Sequence, residues 1–216
     1  MTRCQEWIEW GTAAVSDALR ACGQPFQAMD GGIRPVDADM RLAGPAFTVR
    51  CYPGATWALE QAVELASPGD VLVVDGGGRP DVILMGGLMS TRAKVRGLAG
   101  AVLDAAVRDV DHIARLGFPV FSRFICPRAG TFDQIGQWQI PICCGGVPVH
   151  PGDWIVADRS GAVVVPRDLI SRTAQQAQRI HHRELEFERL LESGLSLAEA
   201  AQQAKEKESS KTPLKT

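Results

Sequence analysis

The sequence lacks a long apolar run and lacks an excess of either charge. None of its apolar stretches reaches the roughly 18–20 residues that a membrane-spanning helix needs. Lysine and arginine number 23 against 25 aspartates and glutamates, so the formal net charge is −2. A general nucleic-acid-binding protein usually carries a clear basic excess. The composition therefore argues against a membrane protein and against a nucleic-acid partner.

Disulfide and zinc-binding patterns are missing as well. The six cysteines include no C-x-x-C pair, and the four histidines lack the usual spacing of zinc ligands. We expect the adjacent Cys143 and Cys144 to be buried small apolar residues rather than nucleophiles. Glu6 and Glu9 stand where a secretory signal peptide would need its apolar centre. These features predict a cytoplasmic protein.

Strand-like and helical segments alternate through the middle of the chain. Apolar runs typical of strands lie at 46–52, 71–75, 100–107 and 119–121. Segments with helical periodicity lie at 12–22, 56–66, 88–96 and 109–116. Residues 119–166 are rich in glycine and proline and read as short strands. The alternation predicts one α/β layered domain, and 216 residues suffice for a sizeable core.

The sequence changes character after residue 168. Residues 169–204 keep a helical apolar pattern that Gly194 interrupts, and Ser196 and Glu199 form a capping box that starts a second helix. Residues 205–216 are polar and lysine-rich, which predicts a disordered tail. We therefore expect a core domain at 1–168, a C-terminal helical extension at 169–204 and a tail at 205–216.

The phrase Pro-Gly-Asp occurs twice, at 68–70 and at 151–153, each time before an apolar run. Proline followed by glycine suits a type II turn that leads into a strand. The flanking residues of the two copies do not match. We therefore interpret the phrase as two independent turn–strand junctions rather than as a duplicated domain.

The glycine-rich segment before the helix at 88–96 is a candidate binding site. Gly86 and Gly87 open this helix, and the free backbone N–H groups of a helix N-terminus favour a carboxylate or a phosphate. Glycines that only permit tight turns explain the segment equally well. The segment alone therefore leaves an anion site and a structural turn open.

Arg108 and Asp109 directly follow the predicted strand at 100–107. Ligands of α/β sheets bind outside the carboxyl ends of strands. An arginine there can stabilise a developing oxyanion, and an aspartate can hold a divalent cation. Alternatively, Asp109 caps the next helix and Arg108 pairs with a surface acid. Spacing alone favours the cap, and the two roles are compatible.

The order and spacing of these motifs resemble the regulator of ribonuclease activity A (RraA-like) family, which includes class II 4-hydroxy-4-methyl-2-oxoglutarate aldolases. The resemblance extends from about residue 12 to residue 195. The phrases that carry it are Gly86-Gly87-Leu88-Met89, Arg108-Asp109, Leu42-Ala43-Gly44-Pro45, Pro68-Gly69-Asp70-Val71, Pro119-Val120-Phe121-Ser122-Arg123, Pro151-Gly152-Asp153 and Val163-Val164-Val165-Pro166.

The resemblance implies a swivelling-type α/β/β layered fold that assembles into trimers or hexamers, with active sites at subunit boundaries. It implies Mg²⁺ or Mn²⁺ held by Asp109 and water, and Arg108 against the keto oxygen of pyruvate. The pyruvate carboxylate would rest on the backbone amides of Gly86, Gly87, Leu88 and Met89. The implied enzyme is a lyase that cleaves 4-hydroxy-2-oxo acids or decarboxylates oxaloacetate through a pyruvate enolate.

The resemblance also implies an alternative function and shows two departures. Some family members are non-catalytic regulators that bind a ribonuclease. A methyltransferase activity is also attached to the family by name, but this sequence lacks the cofactor-binding pattern that it would need. Active aldolases carry an acid where this chain has His112, and commonly another where it has Gly87. Both acids orient metal-bound water. A further acid comes from the C-terminal helix of a neighbouring subunit, where Glu184 is the nearest match and Glu186 and Glu188 are rivals.

Overall fold

The computed structural model describes the backbone of residues 3–211 and the side chains of residues 4–204. The helices are α1 (Arg3–Ala21), α2 (Trp57–Leu65), α3 (Gly87–Val95), α4 (Val110–Leu116), α5 (Ile170–Glu192) and α6 (Leu197–Lys211). The strands are β1 (Arg34–Pro35), β2 (Leu42–Arg50), β3 (Val71–Asp75), β4 (Ile83–Met85), β5 (Gly100–Val107), β6 (Val120–Ile125), β7 (Gln137–Trp138), β8 (Ile142–Cys144), β9 (Val147–Val149), β10 (Trp154–Asp158) and β11 (Gly161–Val165). None of the helices within residues 3–211 is long and apolar enough to cross a membrane.

One mixed sheet organises the fold, with the strand order β1-β6-β5-β3-β2-β10-β11. Strands β2, β3, β5 and β6 run parallel, and β4 pairs parallel with β5. At the other edge of the sheet, the N–H of Met29 donates a hydrogen bond to the carbonyl of Ala162 in β11 at 2.9 Å. Arg34 of β1 donates to the Ser160 carbonyl beside that edge, at 2.6 Å. The sheet is therefore nearly closed, and the predicted α/β layered fold is confirmed.

The N-terminal helix starts earlier than the sequence predicted. We expected a helix at 12–22, whereas α1 begins at Arg3 and is interrupted by non-helical backbone at Gly11 (φ 73°, ψ 168°). The Asp158 carboxylate accepts hydrogen bonds from Thr12 N–H and from Thr12 Oγ1, both at 2.8 Å. A side chain 146 residues away therefore caps the second half of α1, and such a cap leaves no trace in the local sequence.

Helix α5 packs against the core along its first half. Trp7 of α1 is fully buried, and its ring centroid lies 5.9 Å from that of Trp154. Ala177 and Ile180 of α5 belong to the same apolar cluster. The helical extension predicted from residue 169 onward is thus joined to the domain through α1.

The C-terminal helices follow the predicted pattern at their junction. Gly194 adopts a positive φ of 94°, and Ser196 Oγ donates to Glu199 Oε2 at 2.6 Å in the expected capping box. Helix α6 then continues to Lys211. The predicted disordered tail at 205–216 is therefore helical over its first residues, and 212–216 lie outside the described residues.

The two Pro-Gly-Asp phrases form equivalent turns, as predicted. Gly69 and Gly152 have φ values of 91° and 82°, which glycine adopts without steric cost. In each turn the aspartate accepts the backbone N–H three residues earlier, at 2.8 Å for Asp70 and 2.7 Å for Asp153. Asp153 is only 3% exposed and also accepts the N–H of Arg167 at 2.9 Å. Asp153 therefore links the start of β10 to the residues that follow β11.

Replacing Asp153 tests this tie. Asp153→Ala leaves two backbone N–H groups without their acceptor in a buried turn, so we expect the free energy of unfolding to fall by about 3 kcal/mol. Asp70→Ala is the matched control, since it removes one such bond from a more exposed turn and should cost about 1 kcal/mol. Urea denaturation measures both. Equal losses in the two variants would contradict the assigned role of Asp153.

Candidate functional site

A cleft of about 580 Å³ opens at the carboxyl ends of β4 and β5. Helix α3 begins directly after β4, and Arg108 and Asp109 directly follow β5. The N–H of Arg108 donates to the Met85 carbonyl at 3.1 Å, which holds the two strand ends together. The predicted site residues that line this cleft are Gly86, Gly87, Leu88, Met89, Arg108 and Asp109. Two segments that the sequence singled out separately thus share one cavity.

Asp109 stands at the N-terminal end of α4 but does not cap it. Its backbone is left-handed (φ 59°, ψ 37°), and its side chain makes no capping hydrogen bond to α4. Instead, Asp109 Oδ2 accepts the N–H of Gly87 at 3.0 Å, in the first turn of α3. The prediction that the Asp109 side chain caps α4 is therefore wrong, because this side chain bonds to α3 instead. A left-handed backbone is tolerated by aspartate better than by most residues, and here it turns the carboxylate toward the cleft.

Arg108 places a guanidinium beside this carboxylate. Its Nε lies 3.6 Å from Asp109 Oδ2, and this buried atom has no hydrogen-bond partner among the described residues. The side chain is 40% exposed, so part of the guanidinium reaches the cleft. A Cβ at Gly86 would lie 3.0 Å from Asp109 Oδ2 and 3.2 Å from Arg108 Cγ. A side chain at position 86 would therefore require Asp109 and Arg108 to shift, because both pass directly over Gly86.

The first turn of α3 can bind an anion. The N–H groups of the first turn of a helix have no acceptor within the helix. Asp109 accepts the N–H of Gly87, which leaves the N–H groups of Leu88 and Met89 for a ligand. Because these groups carry the positive end of the helix dipole, they favour a carboxylate. A carboxylate ligand would then lie within the same cleft as Arg108.

His112 occupies the space above Gly87. A Cβ added at Gly87 would lie 3.0 Å from His112 Cδ2. The Thr91 hydroxyl donates to the Gly87 carbonyl at 2.9 Å. Its single proton is then used, so it accepts the N–H of His112 Nε2 across 3.1 Å. His112 also lines a shallower depression next to the cleft, together with Asp109. The two departures from the aldolase pattern, at 87 and 112, are thus in contact.

The donor set suits one kind of cation. No group of three or more histidine, cysteine, aspartate or glutamate side chains with metal-binding geometry occurs in the part of the chain that the structure describes. The Asp109 side chain is 48% exposed at the cleft. Mg²⁺ typically binds proteins through one or two carboxylates and keeps several waters. A cation held by Asp109 and water fits these residues, whereas a zinc site of three or four protein ligands does not.

Glu184 does not line the cleft of its own chain. It is exposed on α5, and its predicted contact is with a neighbouring subunit. That role stays a prediction.

Sequence reasoning missed the remaining lining of the cleft. The missed lining residues include Thr56, Glu60, Glu64, Arg92 and Phe132. Their i, i+4 spacing places Glu60 and Glu64 on one face of α2. That spacing could have identified a common face. It could not have shown that this face meets α3, because the packing of α2 against α3 is a tertiary property.

Two further features near the cleft have structural roles. The Gly76-Gly77-Gly78 turn packs tightly, since a Cβ at Gly76 would lie 2.5 Å from Leu84 Cδ1. Lys94 donates to the Leu116 carbonyl at the end of α4.

The expectation for the adjacent cysteines is half correct. Cys144 is buried and burial raises its thiol pKa, whereas Cys143 is exposed. The reason is local: β8 alternates its side chains between a buried and an open face.

Comparison with known proteins identifies the family. A family model described as RraA-like, Aldolase/RraA, matches residues 12–164. A relative in Halalkalibacterium halodurans, provisionally named a 4-hydroxy-4-methyl-2-oxoglutarate aldolase, is 36% identical over 168 residues, which cover 78% of each chain.

Solved structures agree with this assignment. The crystal structure of an uncharacterized protein from Pseudomonas syringae pv. tomato superposes with a TM-score of 0.80 at 30% identity, covering 91% of this chain and 96% of that one. The RNA-processing inhibitor RraA from Thermus thermophilis superposes with a TM-score of 0.64 at 27% identity, covering 70% and 92%. With its family match, its relatives and its fold in agreement, this chain belongs to the RraA-like family.

Proposed function

We propose that this protein is a divalent-metal-dependent lyase that cleaves 4-hydroxy-2-oxo acids, or decarboxylates oxaloacetate, through a pyruvate enolate. The observation that carries the proposal is the convergence of Arg108, Asp109 and the first turn of α3 on one cleft. The provisional aldolase name of the Halalkalibacterium halodurans relative supports the reaction class. The active unit would be a cytoplasmic homotrimer or homohexamer in which Glu184 reaches a neighbouring cleft.

The residues of the cleft have complementary tasks in this reaction. The N–H groups of Leu88 and Met89 would hold the substrate carboxylate, which orients the 2-oxo group toward Arg108. Breaking the bond between C3 and C4 leaves negative charge on the 2-oxo oxygen. A guanidinium placed there would stabilise that charge, an effect usually among the largest in enzyme catalysis. The hydrogen bond between Gly87 N–H and Asp109 keeps these groups at a fixed separation.

Asp109 would hold the cation through its carboxylate, with water completing the shell. A bound Mg²⁺ or Mn²⁺ supplies Lewis-acid stabilisation of the same oxygen. Arg108 Nε, 3.6 Å from Asp109 Oδ2, places a positive charge beside this carboxylate.

A second candidate function is binding to a ribonuclease as a non-catalytic regulator. The observation that favours it is the pair Gly87 and His112, which replaces two acids of the aldolase pattern. The similarity to the RNA-processing inhibitor RraA from Thermus thermophilis supports this second candidate. Pyruvate release decides between the two functions.

Arg108→Ala is the first test. Removing the guanidinium should lower kcat for pyruvate release by about 10²–10³-fold, the typical cost of losing one oxyanion donor. A lactate-dehydrogenase-coupled assay with oxaloacetate and with branched 4-hydroxy-2-oxo diacids measures this, with and without Mg²⁺ or Mn²⁺. Arg20→Ala, at an exposed arginine in the last turn of α1 and outside the cleft, is the comparison and should keep full activity. Full activity of Arg108→Ala would overturn the enolate assignment, and no pyruvate from the wild type would favour the regulatory function.

Asp109→Asn is the second test. Asparagine keeps the shape and tolerates the left-handed backbone, and its amide oxygen can still accept the Gly87 N–H. The charge that binds the cation is lost, so we expect metal affinity and turnover to fall together by at least about tenfold. Mn²⁺ titration by isothermal calorimetry reads affinity directly. Tight Mn²⁺ binding by the variant would contradict the assignment.

The third test restores an acid at position 112. If His112 weakens the water shell of the cation, His112→Glu should raise pyruvate release by about tenfold. His112→Gln is the neutral control, since it also removes the ring from above Gly87. An unchanged or lower rate in His112→Glu would show that His112 has a task of its own.

A further inference from the structure

Resting on the proposal that Asp109 holds a divalent cation, we infer that His112 is a second protein ligand of that cation. It directs the site toward first-row transition-metal ions such as Mn²⁺ and Co²⁺ rather than Mg²⁺. The residue stands where the aldolase pattern has an acid. A histidine in place of a carboxylate exchanges an oxygen donor for a nitrogen donor, and this exchange changes which cations bind well.

The contacts of the His112 ring determine which of its nitrogens is available. Thr91 Oγ1 donates its single proton to the Gly87 carbonyl at 2.9 Å, so the proton in its 3.1 Å contact with His112 Nε2 belongs to the imidazole. A neutral imidazole carries one N–H, and its other nitrogen bears a lone pair. Thr91 therefore selects the tautomer in which Nδ1 is the free donor, and a neutral imidazole nitrogen is the form that binds metal ions.

The same contacts indicate where His112 Nδ1 lies. The Cδ2 edge of the ring packs over Gly87, since a Cβ built there would be 3.0 Å from His112 Cδ2 and 3.3 Å from Asp109 Cβ. Nδ1 is on the opposite edge of the ring, away from the contacts with Gly87 and Thr91. His112 and Asp109 both line the depression of about 460 Å³ beside the cleft. The lone pair and the carboxylate can therefore meet a cation in the same depression.

The spacing along the chain brings the two donors to one turn. Asp109 immediately precedes α4, and His112 is the third residue of that helix. The side chain of a third helical residue reaches back over the residue before the helix, as the glutamate of a capping box does. Gly87 lies beneath both groups, because its N–H donates to the Asp109 carboxylate at 3.0 Å and its Cα faces the imidazole. The absence of a Cβ at position 87 leaves the room that this arrangement needs.

The resulting donor set differs from one made of carboxylates alone. Mg²⁺ prefers oxygen ligands and keeps several waters. Imidazole nitrogen suits transition metals, whose affinities rise from Mn²⁺ through Co²⁺ to Ni²⁺. A closed structural metal site is not formed, since the described residues contain no group of three or more histidine, cysteine or acidic side chains with metal-binding geometry. One carboxylate, one imidazole and water would leave positions on the cation for a 2-oxo acid.

Binding of Co²⁺ and Mg²⁺ by isothermal calorimetry measures the preference. The wild type should bind Co²⁺ at least about tenfold more tightly than Mg²⁺. His112→Gln should lose Co²⁺ affinity by at least about tenfold, the lower end of the cost of removing a group beside a metal, and should change Mg²⁺ affinity less. Tighter binding of Mg²⁺ than of Co²⁺ by the wild type would overturn the inference, as would an unchanged Co²⁺ affinity in His112→Gln.

His150→Gln is the matched control. Its imidazole is 63% exposed and does not line the depression, so this variant should leave both affinities unchanged. Equal losses of Co²⁺ affinity in the two glutamine variants would mean adventitious binding to surface histidines and would overturn the inference.

Nuclear magnetic resonance distinguishes coordination from a structural role. Co²⁺ is paramagnetic, so the Nε2–H proton of a coordinated His112 should give a strongly shifted, exchangeable signal that His112→Gln lacks. Thr91→Val keeps the shape of the side chain but removes the acceptor of this proton. The signal should then broaden through exchange with water, and Co²⁺ affinity should fall by less than in His112→Gln. The same shifted signal in Co²⁺-loaded His112→Gln would contradict the assignment.

His112→Glu should narrow the preference. A carboxylate at position 112 restores an oxygen donor, so the advantage of Co²⁺ over Mg²⁺ should shrink by about tenfold. This agrees with the higher pyruvate release expected for the same variant. Any group that a neighbouring subunit adds to the site is common to all variants at position 112, so their comparison reports on this position alone. An unchanged advantage of Co²⁺ in His112→Glu would overturn the inference.

Pyruvate release separates this inference from the proposed function. Pyruvate formed with Mg²⁺ and with Co²⁺, together with unchanged Co²⁺ affinity in His112→Gln, would sustain the lyase and overturn the role of His112. Co²⁺ binding that depends on His112, without pyruvate from oxaloacetate or from the 4-hydroxy-2-oxo diacids, would overturn the lyase and sustain the metal site.

Discussion

One hydrogen bond unites the two halves of the candidate site. The N–H of Gly87, at the start of α3, donates to the carboxylate of Asp109 after β5, at 3.0 Å. The carboxylate therefore lies between the first turn of α3 and Arg108, whose Nε is 3.6 Å from Asp109 Oδ2. The left-handed backbone of Asp109 turns the carboxylate toward α3, and Gly86 leaves room for it.

The sheet explains why this bond can be rigid. β4 and β5 are parallel neighbours, and the pairing continues one step past their ends through Arg108 N–H and the Met85 carbonyl. Preorganised polar groups at the end of such a pair need little rearrangement when a ligand arrives. The cleft is the proposed binding site, and the chemistry of its lining residues would determine which ligand it takes.

The periodicity of the sequence predicts the central elements closely. The strands at 71–75 and 100–107 have the predicted bounds, because continuous apolar runs between glycine-rich turns have few alternatives in a buried parallel sheet. The start of α1 was not predictable, because the Gly11 interruption and the Asp158 cap depend on a distant strand. Helix α6 extended further than expected, since a polar composition alone does not exclude a helix.

The candidate site was predictable only in part for the same reason. Contiguous motifs identified Arg108, Asp109 and the α3 turn, and the fold brings them together. The direction of the Asp109 side chain was not predictable, because a left-handed residue reverses the expected cap. The remaining lining includes the pair of Glu64 on α2 and Arg92 on α3, which are 28 residues apart, and it becomes visible only when α2 and α3 are packed.

The contact between His112 and Gly87 also constrains how this cleft can evolve. With a Cβ at position 87 only 3.0 Å from the imidazole, a larger residue there requires the His112 ring to shift. Exchange at 87 is therefore easier once position 112 carries a more flexible side chain, so the two positions are expected to change in a coupled way.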